Sequence, residues 1–207
     1  HLVRTRKSEY ELACMREASA QGARCHRAAE AAFRDGESEY AIHMRYLQAG
    51  QLTEADLPYG SIVALNQHAA VLHYQTQERA APASSRSFLI DAGATCHAYC
   101  SDITRTYAAG EGDFAALVDG MDAVQLNLVA GMRAGVDYRD LHLQTHTAVA
   151  GLLVEQGIVN LAVEDVVDSG LSSVFFPHGL GHYIGLQTHD VAGLLEDESG
   201  REIPRPA

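Results

Sequence analysis

The sequence predicts an α+β fold, with an antiparallel sheet covered by helices on one face. Three observations predict it. Short β-prone stretches come in pairs, at 61–74 and at 87–107, and helical stretches also come in pairs. A strict βαβ alternation, which would signal a parallel sheet, is missing. The first helix is unusually well marked, because Ser8 and Glu11 have capping-box spacing. Leu12, Met15, Ala18, Gly22, Cys25, Ala29 and Phe33 then recur at steps of three or four.

That helix is predicted to run to about Phe33 and to stop at Asp35-Gly36. Ser38 opens a second helix reaching about Ala49, and Pro58-Tyr59-Gly60 is a turn. Ser61–Leu65 and Ala69–Tyr74 read as two short strands around Asn66-Gln67-His68. Ser87–Asp91 is an apolar, buried strand, and 99–107 returns beside it. Helices are expected at about 114–132 and 138–155, with Gly135 and Gly157 as stops. A short helix at 163–168 leads to a histidine-rich strand at 175–190, and 193–207 reads as a polar loop.

At 207 residues and 47% hydrophobic, the chain can bury one sizeable core. A formal charge of −12 argues against nucleic acid or an anionic membrane surface as a partner. No run reaches the roughly 18 apolar residues of a membrane span, so no membrane is expected. Cys14, Cys25, Cys96 and Cys100 form no CxxC pair and read as reduced thiols of a cytoplasmic protein. Cys96 and Cys100 flank His97, but no second pair of matching spacing supports a soft-metal site. The chain begins at His1, which reads as a start inside a longer product or a tag remnant.

Two constellations carry chemistry. A hairpin turning at Cys96-His97 would set Asp91 directly opposite Asp102 on one face, with Cβ atoms about 5 Å apart. Like charges so placed are destabilising unless a cation neutralises them or one carboxyl keeps its proton. The other reading is a pair of aspartates capping strand-end and turn amides. The second constellation is Phe175-Phe176-Pro177-His178-Gly179-Leu180-Gly181-His182-Tyr183-Ile184-Gly185-Leu186-Gln187-Thr188-His189-Asp190. Its glycines allow close backbone approach or positive φ, and imidazoles can ligate metal or hydrogen-bond a developing oxyanion. Carboxylates with histidines suit a hard or borderline divalent cation. His73, within Val71-Leu72-His73-Tyr74, reads on its own as a half-buried strand histidine.

Together with Val63-Ala64-Leu65-Asn66-Gln67-His68, Phe88-Leu89-Ile90-Asp91-Ala92-Gly93 and Ser101-Asp102-Ile103-Thr104-Arg105-Thr106, these motifs resemble the pita-bread metallopeptidases. Within them the likeness is to the Xaa-Pro dipeptidase (prolidase) family, from about Leu2 to Gly193. The resemblance implies a pita-bread fold and two divalent metal ions, Mn²⁺ first, with Co²⁺ or Zn²⁺ as substitutes. It implies Asp91 on one ion, Asp102 bridging both, and His182 as the single histidine ligand. His73 and His189 would contact substrate and stabilise the tetrahedral intermediate, and His178 would lie near the proline end. The implied reaction is hydrolysis of Xaa-Pro dipeptides by a dinuclear-metal hydroxide, in a protein that is a homodimer at full length. Aminopeptidase P activity and a non-catalytic pita-bread binding module are the alternatives. The His-Gly-Leu-Gly-His doublet argues against methionine aminopeptidase.

The pattern also departs from that family. Two further ligands, both glutamates, one in a Glu-Pro-Gly segment, have no match here. Beyond Asp190 the only glutamates are Glu196, Glu198 and Glu202 in the polar tail. Residues 1–207 thus read as a partial catalytic domain with an incomplete sheet. An amino-terminal domain and a carboxy-terminal metal-binding segment are expected to be absent, and the chain alone is expected to be inactive.

Overall fold

The computed structural model describes residues 2–193, 195, 197 and 199–203. The polar tail expected at 193–207, with Glu196 and Glu198, lies in part outside the described residues; Glu202 is exposed. The chain divides into two compact units, residues 1–110 with 183–201, and residues 111–182 with 202–207.

In the first unit, α1 (Glu9–Arg34) starts at the expected capping box. The Ser8 amide donates to Glu11 Oε2 at 2.7 Å, and the Glu11 amide to Ser8 Oγ at 3.4 Å. Gly36, at φ 77°, supplies the left-handed turn after α1. Ser38 then caps α2 (Glu39–Gly50) by accepting from the Ala41 amide. Next come β1 (Ile62–Leu65), β2 (Ser87–Ala92), β3 (Thr95–Cys96), β4 (Tyr99–Cys100) and β5 (Ile103–Ala108). Strands β1, β2 and β5 form an antiparallel sheet in that order, and β3 and β4 form a small ribbon.

Burial alternates along β2 because successive side chains point to opposite faces. Phe88, Ile90 and Ala92 turn toward Cys25, Ala29 and Phe33 of α1 and Ile42, Tyr46 and Leu47 of α2, forming the core. Each large apolar side chain buried there contributes about 1.5–3 kcal/mol. Leu89 and Asp91 therefore lie on the other face. This is the antiparallel sheet with helices on one face that the sequence predicts.

Three expectations about strands need correction. The hairpin turns at His97-Ala98, with φ 49° and 69°, one residue later than Cys96-His97. Positive φ at both central residues is what a two-residue hairpin loop requires. Asp91 consequently faces Thr104, not Asp102. Asp102, just ahead of β5, still lies close to Asp91, since one hydroxyl, that of Tyr59, is within hydrogen-bond distance of both carboxylates. The returning strand is also interrupted at Ser101-Asp102, where Ser101 Oγ accepts from the Ala94 amide at 3.0 Å. A Cβ at Gly93 would overlap the Ser101 carbonyl, so the close approach depends on glycine.

Residues 69–74 are not a strand. Asn66–Ala70 forms a 3-10 turn, and His73 adopts φ 56°. Buried Glu39 draws the segment away from any ladder. Its Oε1 accepts from the Leu65 amide (2.8 Å) and contacts His68 Nδ1 (2.8 Å). Its Oε2 accepts from the Tyr74 hydroxyl (2.6 Å) and the Glu78 amide (2.8 Å).

The run 175–190 is likewise not a strand. Pro177 lacks an amide donor, and Gly179, Gly181 and Gly185 favour extended structure weakly. In place of a ladder there are isolated bonds in the first unit, from Cys100 N–H to Gly185 O and from Asp190 N–H to Tyr183 O, both 2.8 Å. The second unit contains α3 (Asp113–Gly131), α4 (Tyr138–Glu155), α5 (Val163–Asp168) and α6 (Ser172–Phe175). The first three match expectation. Gly157 ends α4 at φ 68°.

Candidate metal centre

Asp91 is the second-last residue of β2, on the face away from the core, and Asp102 lies in the break before β5. The Tyr59 hydroxyl joins them: it lies 2.7 Å from Asp91 Oδ1 and 2.9 Å from Asp102 Oδ1. The carboxylates are thus brought together on the face of the sheet away from the helices. Burial pushes the Asp91 carboxyl above its ordinary range. The Asp102 charge adds to this, while the Tyr59 hydroxyl, Thr104 and the nearby His73 imidazole oppose it. Burial and the two carboxylates also raise the Tyr59 hydroxyl, so it remains a proton donor. A concentrated negative pair, partly withdrawn from water, fits a divalent cation and is costly without one.

His73 is exposed, after exposed Val71 and Leu72, in a segment whose flanking His68 and Tyr74 both contact Glu39. His189 is exposed in the first unit, next to the buried Asp190. Asp190 accepts from Arg4 Nη2 at 2.6 Å and Lys7 Nζ at 2.9 Å. Burial alone would raise the Asp190 carboxyl, but Lys7, the Val191 amide and Arg4 together hold it below its usual value. Gly185 leaves room for this carboxylate, since a Cβ there would strike Asp190 and Lys7. Asp190→Asn is expected to lower stability by about 2 kcal/mol, because Lys7 and Arg4 lose their charge partner. Amide exchange at Cys100 should quicken with it. Because its folded pKa is depressed, Asp190 stabilises above the ordinary carboxylate pKa, and that contribution fades as pH falls through the folded value. The Asn variant should not show this fade.

His178 and His182 belong to the second unit and are exposed. Neither Gly179 nor Gly181 takes positive φ; Gly181 instead abuts Tyr138, whose hydroxyl would sit 2.5 Å from an added Cβ. Among the described residues, no group of three or more His, Cys, Asp or Glu side chains is arranged to hold a metal ion. The structure therefore brings Asp91 and Asp102 together at Tyr59, with His73 near enough to favour the charged form of Asp91. The cysteines are free, and the Cys96 thiol donates to Glu17.

Sequence reasoning missed Tyr59 and Glu39. Tyr59 reads only as part of a Pro-Tyr-Gly turn, and Glu39 only as an acidic residue after an N-cap. Neither carries a local signal for its distant partners.

Residues 13–205 match the model of metallopeptidase family M24. The chain belongs to this family. An M24 chain of this kind has relatives named Xaa-Pro dipeptidase in Stenotrophomonas maltophilia (strain R551-3), 52% identical over 97% of the chain. Another, from Xanthomonas euvesicatoria pv. vesicatoria (strain 85-10), is 54% identical over 97%. The chain spans 46% of the length of each, about half. Among solved structures, Zn-substituted Escherichia coli aminopeptidase P in complex with product matches with a TM-score of 0.85 at 25% identity. That match covers 98% of this chain and 46% of the other. Proline aminopeptidase P II from Yersinia pestis matches at 0.78 and 26% identity. The M24 chain has the pita-bread fold of these proteins. Among its described residues, no helix is long and apolar enough to cross a membrane.

Proposed function

We propose that this chain is part of a cytoplasmic, metal-dependent Xaa-Pro dipeptidase. The observation that carries the reading is its 52–54% identity to proteins of that name, across 97% of its length. Likeness to aminopeptidase P is at 25% identity, which favours the dipeptidase. The carboxylate pair at Tyr59 supports a catalytic reading over a non-catalytic pita-bread module.

Asp91, Asp102 and His182 would hold two divalent ions, with Mn²⁺ the first candidate. Such ions, when bound, supply Lewis-acid polarisation and an activated water near neutral pH. The chain's own residues do the rest. Tyr59 keeps the two carboxylates at a common point. His73 and His189 present N–H donors where negative charge develops on the scissile carbonyl. His178 lies toward the proline end of the substrate. Xaa-Pro bonds have no N–H at the scissile nitrogen, so recognition cannot use that donor.

The two glutamates expected of the full ligand set have no counterpart here, so residues 1–207 alone should turn over little substrate. Exposed Leu72 and Leu186 in the first unit, and separately Phe175 in the second, are apolar side chains that other parts of a longer, homodimeric protein would cover. The test is Ala-Pro hydrolysis with Mn²⁺, with and without EDTA, for both the chain and a full-length protein containing it. The full-length protein should cleave Ala-Pro, lose activity with EDTA, and leave a dipeptide without proline intact. Metal-independent cleavage, or no cleavage at full length, would defeat the reading. Turnover by the chain alone would defeat its incompleteness.

A further inference from the structure

Two histidines outside the candidate centre meet on α4, entirely within the second unit. His142 and His146 are one turn apart, and their Nε2 atoms lie 3.2 Å from each other. Two imidazoles bound to one tetrahedral ion, each with a metal–nitrogen bond of about 2.0–2.1 Å, place their nitrogens about 3.3 Å apart. The observed separation is therefore already that of a chelating pair.

The surroundings favour the same use. His146 Nδ1 is 3.0 Å from Oγ of Ser172, which is 1% exposed. With that hydroxyl as acceptor, the ring proton sits on Nδ1 and His146 Nε2 is a bare lone pair facing His142. An outer hydrogen bond of this kind is how metal-binding imidazoles are usually oriented. The Phe176 ring packs against both imidazoles, at centroid distances of 5.6 and 5.1 Å, and walls one side from water. Burial, and then the neighbouring His142 ring, hold the His146 imidazole below its ordinary pKa, favouring the neutral, ligating form.

We propose that His142 and His146 form a second metal site, a two-histidine chelate for a borderline divalent cation such as Zn²⁺, Ni²⁺ or Cu²⁺. Imidazole pairs favour these ions, whereas carboxylates such as Asp91 and Asp102 suit harder Mn²⁺. On binding, the proton on His142 Nε2 moves to its own Nδ1, so the cation replaces a shared proton and both rings stay neutral. No third His, Cys, Asp or Glu among the described residues joins them, so water completes the coordination and the ion exchanges freely.

The test uses the whole chain carrying Asp91→Asn and Asp102→Asn, titrated calorimetrically with Zn²⁺. One equivalent should bind. Adding His142→Gln or His146→Gln should weaken it by about tenfold or more, and Ser172→Ala by about tenfold. Affinity unchanged by either histidine substitution overturns the site. A second measurement needs no substitution: in the unaltered chain, Zn²⁺ should protect His142 and His146 from diethyl pyrocarbonate, read by peptide mass. Equal labelling with and without Zn²⁺ also overturns it, as does equal protection by Mn²⁺.

Discussion

Replacing Glu39 by alanine is expected to lower stability by about 3–5 kcal/mol, the largest stability effect in the first unit. The carboxylate is 1% exposed and serves four partners, the amides of Leu65 and Glu78, the Tyr74 hydroxyl and His68. Alanine strands several buried donors at once, each costing about 1–3 kcal/mol. Glu39→Gln keeps the volume but turns one acceptor into a donor, so about half the loss is expected. Burial alone would raise this carboxyl, yet the four partners overcome it and hold its pKa below the usual value. The contribution is then present above the ordinary glutamate pKa and is lost as pH falls through the folded value. Denaturant unfolding at pH 7 and near pH 3 measures both effects: the gap between wild type and Glu39→Gln should narrow in acid. A constant gap would mean that Glu39 acts through packing alone. Because the same network holds the 66–78 segment, His73 should lose its fixed position in the alanine variant.

Asp91→Asn should cut Ala-Pro hydrolysis by at least about a thousandfold in a full-length protein containing this chain. Losing a ligand forfeits several kcal/mol of transition-state charge stabilisation, at about 1.4 kcal/mol per decade of rate. Asp102→Asn should do the same. The companion result concerns the metal-free chain, where Asp91→Asn should melt at a higher temperature than wild type. The Asp91 pKa is raised by burial, so its stabilising contribution is full in acid and is lost as pH rises through the folded value. At neutral pH the ionised carboxyl beside Asp102 is a cost that asparagine removes, while its Oδ1 still accepts from Tyr59. If Asp91 and Asp102 merely capped backbone amides, Asn substitution would lower the melting temperature and leave metal affinity unchanged. Melting curves and Mn²⁺ titrations on one pair of samples separate these outcomes.

The helices were legible because their signals are local. The Ser8–Glu11 box, the three-or-four spacing after Leu12, and the stops at Gly36 and Gly157 all act within one or two turns. The candidate residues were legible as chemistry: carboxylates and histidines in a glycine-rich setting point to a cation whatever their geometry. Strands were less legible. The apolar run 69–74 looks like a strand until Glu39, 35 residues before Tyr74, captures the Tyr74 hydroxyl. The run 175–190 has a strand's apolar side chains, but Pro177 lacks an amide donor and its glycines favour extended structure weakly.

The sequence by itself determined the approximate spans of the four long helices, the antiparallel sheet with its helical cover, the types of residue at the site, and the likeness to M24 metallopeptidases. Tertiary structure alone decided the hairpin register, which sets Asp91 against Thr104, and the gathering of both carboxylates on a tyrosine 32 and 43 residues away. The division has a physical cause. Caps and periodicity are settled by atoms a few residues apart, whereas register and shared hydrogen bonds depend on which distant groups the packed core brings within about 3 Å.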